Sequence, residues 1–245
     1  MRVSKLISRG LVAALALMAA SSVAVTASAH EVNPIRAYLN VERGETSTVI
    51  LVRNTRTRDL PIEVVILRRD VAPDGTETLV PADDLFNVFP PQFLMPTNTN
   101  QAIRVEYIGP RNLEQSQAYI VDVREIPVVP DGFTGIFTAY NFGVALYLNA
   151  DGVADDLAVE SIALNDGRLT FDLANRGGDY AVLTRRRVFI DFPDGSIEIP
   201  PSDVVERLGN PIVPPNAVRQ FAYTPPEGAA ALTAAPTRIR IEALN

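Results

Sequence analysis

The residue types that usually carry chemistry are thinly spread here. Carboxylates occur as adjacent pairs at Asp83-Asp84 and Asp155-Asp156. Acid–base cleavage of a glycoside needs two carboxyl groups facing one another across a cleft, whereas neighbours on a strand point to opposite faces. Both pairs sit beside turns and read as solvated loop charge. His30 is the single histidine, and no GxSxG elbow, P-loop or GxGxxG run is present, so nothing assembles a Ser-His-Asp triad or a nucleotide site. The absence of cysteine excludes thiolate zinc centres, disulfides, CxxC redox pairs and cysteine nucleophiles. An N-terminal His30 would chelate copper through its amine and ring, but such a site calls for a second histidine, and the plainer expectation is a frayed terminus. The sequence therefore points to no catalytic residue, no metal and no cofactor.

Arginine is the remaining type. Arg36 follows Pro34 at the start of a short strand-like run, Ile35 to Val41; Arg104 sits in Ala102-Ile-Arg-Val-Glu106; Arg124 lies near the end of another run. A guanidinium on a strand is either a solvated guard against edge aggregation or a receptor that grips a carboxylate through two parallel hydrogen bonds. Residue type alone leaves both readings open.

The elements that position these groups are strands. The chain has 245 residues, 47% hydrophobic and 21% charged, the balance of an ordinary globular protein. Arg2, Lys5 and Arg9 precede the apolar run Leu11 to Met18, which continues to Ala27-Ser28-Ala29. That is the pattern of a secretory signal peptide over residues 1–29, cleaved after Ala29. Taking its three positive charges from the 22 basic side chains leaves 19 arginines against 29 acidic groups, a balance of −10 for an exported chain without lysine. Such a chain is a poor candidate for nucleic-acid binding, which dense positive charge carries.

Beyond the signal, β-branched runs alternate with turn residues. Thr46 to Arg53, Leu60 to Leu67, Asn100 to Ile108 and Gln117 to Arg124 are separated by polar, Gly- or Pro-bearing turns, among them Pro73-Asp74-Gly75. Short strands at this spacing predict an all-β sandwich or barrel. The longest strand candidate spans 134–148 and places Ile136, Thr138, Tyr140, Phe142, Val144, Leu146 and Leu148 on one face. For a strand of normal length this would be core, but fifteen residues exceed the usual three to ten, and a long edge invites pairing by another chain. Asn149-Ala-Asp-Gly152 interrupts the pattern and is taken as an interdomain turn, after which the strand–turn rhythm restarts through Asn165-Asp-Gly167 and Pro193-Asp-Gly195. The expected domains are 30–149 and 150–245.

Phe89-Pro-Pro-Gln-Phe-Leu-Met-Pro96, then Gln101-Ala-Ile-Arg-Val105, then Tyr119-Ile-Val-Asp-Val-Arg-Glu-Ile-Pro127, resembles the periplasmic pilus-assembly chaperones. The resemblance covers residues 34–148; beyond that only spacing and the Leu169–Asn175 strand fit. It implies two immunoglobulin-like β-sandwich domains set in an L and a non-enzymatic role in the periplasm. A pilus or surface-fibre subunit missing its last strand would receive the chaperone's long strand by β-augmentation, for which pilin chaperones are a stock example. The implied donor residues are Ile136, Thr138, Tyr140, Phe142 and Val144, and the implied partners are fibre subunits and an outer-membrane usher. The family also holds the subunit's C-terminal carboxylate with an arginine on the first strand and a lysine on the donor strand. Arg36 matches the arginine, slightly out of register; Ala145 stands near the lysine's place, so another arginine such as Arg104 is the alternative anchor. These departures resemble the divergent, archaic or spore-coat-like branch. Self-association through the exposed strand is a further expectation. Competing readings are a structural fibre subunit, for which His30-Glu-Val-Asn-Pro34 is too short and polar a donor extension, and a copper- or carbohydrate-binding sandwich, which lacks a second histidine and any tryptophan.

Overall fold

The structure, a computed structural model, describes residues 30–128, 132, 134–136, 138–229 and 232–244. The expected signal peptide and its cleavage after Ala29 lie outside the described residues.

The first ten strands are β1 (Glu31–Asn33), β2 (Arg36–Leu39), β3 (Ser47–Arg53), β4 (Leu60–Val71), β5 (Glu77–Pro81), β6 (Phe86–Phe89), β7 (Gln92–Met95), β8 (Asn100–Tyr107), β9 (Gln117–Glu125) and β10 (Asn141–Leu148). They build two facing sheets, one ordered β1-β3-β8-β6 and the other β2-β10-β9-β4-β5, with β7 also on β4. Alternation decides the inner faces. Along β4, Leu60, Ile62, Val64 and Ile66 are buried while Pro61, Glu63 and Val65 are not, as a period of two requires. Ile50 and Val52 of β3, Ile103 and Val105 of β8, Val121 and Val123 of β9, and Leu146 and Leu148 of β10 complete one core. Ala150 and Val153, just past β10, pack on that same core.

The second half holds β11 (Leu157–Asn165), β12 (Arg168–Asn175), β13 (Ala181–Val182), β14 (Arg186–Phe192), β15 (Gly195–Ile199), the one-turn helix α1 (Val204–Leu208), β16 (Ile212–Val213), β17 (Ala217–Ala222) and β18 (Arg238–Ala243). Sheets β11-β12-β17 and β15-β14-β18 enclose a separate core of Leu169, Phe171, Leu173, Val188, Ile190 and Phe221. The expected Asp166-Gly167 turn joins β11 to β12; both residues have positive φ, 51° and 77°, which suits the twist of a two-residue hairpin. The all-β expectation holds as two sandwiches.

The two sandwiches meet in part through polar contacts. At the tip of the β4–β5 hairpin, the Pro73 carbonyl accepts hydrogen bonds from the Gln220 amide at 2.8 Å and the Arg219 Nε at 3.2 Å. Asn210 Nδ2 donates to the Gly75 carbonyl at 3.2 Å and to Glu77 Oε1 at 2.6 Å. Arg219 is fully buried, also donates to the Asn210 and Ile212 carbonyls, and has its pKa lowered by that burial. Gly75 is required here twice over: its φ is +91°, and a Cβ would lie 2.5 Å from Arg219 Nη2.

Candidate functional site

Strand β10 has two neighbours over only half its length. It runs antiparallel to β9 throughout, Asn141 opposite Arg124 and Leu148 opposite Gln117. On its other side β2 runs parallel to it from Ala145, which faces Arg36, to Leu148, which faces Leu39. The Ala145 amide bonds to the Ile35 carbonyl at 3.1 Å. From Asn141 to Val144, no strand among the described residues covers that edge.

The alternating face expected over 134–148 is present, but the strand is shorter and the face turns from solvent into core along it. Strand geometry begins at Asn141, not near residue 134. Leu148 and Leu146 are fully buried and Val144 is 1% exposed, so Val144, expected among the donor residues, packs in its own core. The reason is the pleat: once Leu146 and Leu148 point inward, every second residue within the strand must follow. Phe142 is half-buried, its ring edge-on to His30 with centroids 4.5 Å apart. Tyr140 is half-buried under the Arg56 guanidinium, 4.7 Å from the ring centroid. Thr138 is exposed, its carbonyl accepting from Arg56 Nη1 at 3.5 Å, and Ile136 is 95% exposed.

His30 corrects a second expectation. Rather than fraying, it is 1% exposed against Phe142, and burial lowers its pKa, with Arg56 acting in the same direction and Glu125 against it. Glu125, the last residue of β9 before Ile126-Pro127, is buried and gains the partners that its sequence position did not disclose. Arg58 donates to its Oε1, and Arg56 stands 3.5 Å from its Oε2. Both arginines come from the polar turn after β3, which buried Asn54 pins by donating to the Arg58, Met95 and Pro96 carbonyls at 2.9–3.1 Å. The Tyr140 amide also donates to Glu125 Oε2 at 3.3 Å. A buried ion cluster thus holds the chain where it enters β10.

The two arginines singled out as anchors are not together. Arg36 is exposed on β2 and lines a cavity of about 110 Å³ between β2, β10 and the second sandwich. Arg104 lies on β8 of the opposite sheet, paired with Glu106 at 3.4 Å, and does not line that cavity. The second-sandwich side of the cavity brings Arg185, which sequence reading missed because nothing in its local run sets it apart. Arg124 pairs with Asp122 at 2.7 Å. The aspartate pairs are structural: Asp83 Oδ1 accepts from the Ile66 amide at 2.9 Å, and Asp155 binds Arg186.

No protein-family model matches this sequence, and no curated protein does. Solved structures do. A chain of a chaperone–tip adhesin complex of CFA/I fimbriae shares 14% identity at a TM-score of 0.54, over 88% of this chain and 99% of that one. A chain of the CsuC–CsuE chaperone–tip subunit complex from the archaic Csu pili of Acinetobacter baumannii shares 14% at 0.55, over 87% and 98%. One from the Salmonella enterica SafA pilin–SafB chaperone complex shares 16% at 0.53, over 82% and 86%. The chain therefore has the fold of the fimbrial chaperones, two immunoglobulin-like β-sandwiches in succession.

Proposed function

We propose that the protein is a periplasmic chaperone that captures fibre subunits by lending them the segment leading into β10, and passes them to an outer-membrane usher. The observation that carries this is the half-covered strand: β10 is anchored by Val144, Leu146 and Leu148 in its own core, while Phe142 and, just before the strand, Ile136, Thr138 and Tyr140 precede or lie on an edge that no strand among the described residues covers. A strand fixed at one end and open at the other suits β-augmentation, where backbone hydrogen bonds supply affinity and alternate side chains supply selectivity. The likeness in fold to chaperones solved with their subunits supports the same reading. On it the chain divides into a signal peptide (1–29), a subunit-binding domain (30–149) and a second domain (150–245), and the work is binding rather than catalysis. Arg36, on the first rung of the β2–β10 ladder, is the anchor for a subunit's C-terminal carboxylate. The same open edge is where two copies of the chain would pair.

Co-expression with a neighbouring secreted β-rich subunit is expected to give a soluble one-to-one complex in the periplasm. Phe142→Asp is expected to abolish it while circular dichroism of the free protein stays unchanged. Undiminished complex recovery with the variant would count against the donor segment.

A further inference from the structure

We propose that His30 is a positioning residue for the donor segment: its neutral ring holds Phe142 back against the parent sandwich, competes with a subunit for that side chain, and releases it on protonation. This rests on the chaperone reading and deepens it, because it makes subunit capture sensitive to acid.

The contact joins the two layers of the first sandwich. His30 leads into β1, which belongs to the β1-β3-β8-β6 sheet, whereas Phe142 lies on β10 of the facing sheet. The His30 ring is 1% exposed and meets the Phe142 ring edge-on, at 4.5 Å and 69°. Such a pair adds attraction beyond the area it buries. Phe142 itself is only half-buried, on the part of β10 that β2 does not flank. A subunit that took the Phe142 ring into its own groove would have to break this pair, so the N-terminal ring and the subunit are rivals for one side chain.

The surroundings favour the ring only while it is neutral. Neither of its nitrogens has a hydrogen-bond partner among the described residues, so no acceptor is aimed at an added proton. From the turn after β3, Arg56 and Arg58 both engage Glu125 at the end of β9, and the Tyr140 amide donates to the same carboxylate at 3.3 Å. From β1, Glu31 turns to Arg53 at 3.7 Å, both well exposed, and β10 brings only the uncharged Phe142. An imidazolium here would be a third side-chain cation around one carboxylate. Burial is the largest influence and lowers the pKa of the ring; Glu125 and the Val123 backbone oppose it, and Arg56 adds to it. In a chain processed after Ala29 the α-amino group is a further positive charge, largely protonated by pH 7. Relief comes when the charged ring moves out to water, which uncovers Phe142. Arg56 also stands over the Tyr140 ring at 4.7 Å, so the same repulsion reaches the neighbouring donor side chain.

The test uses the mature protein, His30→Phe, which keeps an aromatic ring but takes no proton, and His30→Ala, which has no ring. Amide hydrogen exchange over residues 141–144 of the free proteins, corrected for intrinsic rates, should be about tenfold faster at pH 5.5 than at pH 7.0 in wild type and unchanged in His30→Phe. Calorimetric titration with the neighbouring secreted β-rich subunit at pH 7.0 should show His30→Ala binding about two- to tenfold tighter than wild type, a difference that closes at pH 5.5. Wild-type exchange that ignores pH overturns the proposal, and so does a His30→Phe protein that responds to acid as wild type does. These comparisons hold whether or not the alanine variant folds. A folded His30→Ala that binds no tighter at pH 7.0 overturns the rivalry. Acid-dependent exchange in a protein that captures no subunit at either pH overturns the chaperone reading and leaves the hold of His30 on Phe142 standing.

Discussion

Replacing Ile136 with alanine separates lending a strand from owning one. The side chain is 95% exposed, so the free protein has almost no burial to lose, and an exposed substitution of this kind stays within roughly 0.5 kcal/mol. If Ile136 fills a pocket in a subunit, the change strips three carbons from a buried site, at about 0.8 kcal/mol each. The sum, about 2.4 kcal/mol, corresponds to a roughly fiftyfold weaker Kd. Val144→Ala is the mirror image: at 1% exposure it loses two carbons from the home core and leaves a cavity, costing about 2 kcal/mol of folding stability. Calorimetric titration with subunit and thermal melting of the free protein, run on both variants, should therefore give opposite answers. An Ile136→Ala protein that binds as wild type does, or that melts as early as Val144→Ala, would refute the division of this face into a lent part and a kept part.

Two other outcomes follow from the cluster at the entry to β10. Glu125→Gln leaves Arg56 and Arg58 facing a neutral amide in a buried setting; it should lower stability by about 2 kcal/mol, discounted because Arg58 is partly exposed, and chemical denaturation would reveal it. Burial holds the His30 ring below its ordinary value of 6.5, so in mildly acidic solution the unfolded chain binds the proton and the native chain does not. That contribution to stability is full above pH 6.5 and is lost as the pH falls below it. Melting followed from pH 7.5 to 5.5 should show a decline that His30→Gln lacks, with Glu125 and Arg56 unchanged in both proteins; equal declines would place the titration elsewhere.

The sandwich strands were legible because their signal is local. Thr46 to Arg53, Leu60 to Leu67, Asn100 to Ile108 and Gln117 to Arg124 became β3, β4, β8 and β9 with small shifts at their ends, and Asp166-Gly167 made the turn its residue types demand. The stretch expected to act as donor was legible in parity but not in direction. Alternation states which side chains share a face, not whether that face meets its own core, and the answer changes between Phe142 and Val144, next to where β2 joins β9 in flanking the strand. Arg36 was found from its place beside Pro34. Arg185 was not, because it meets Tyr38, 147 positions away in sequence, only where the two sandwiches come together. Arg104 shows the complementary limit: its own run looks like that of Arg36, while strand order assigns it to the other sheet.

The seam at the β4–β5 tip is stitched by Arg219 and Asn210 to carbonyls and a carboxylate, with little grease between. Apolar contacts weaken on cooling, because their strength comes from water ordering; hydrogen bonds to carbonyls lack that temperature signature. These contacts at the β4–β5 tip should therefore hold in the cold, when the hydrophobic interiors on either side have already begun to slacken.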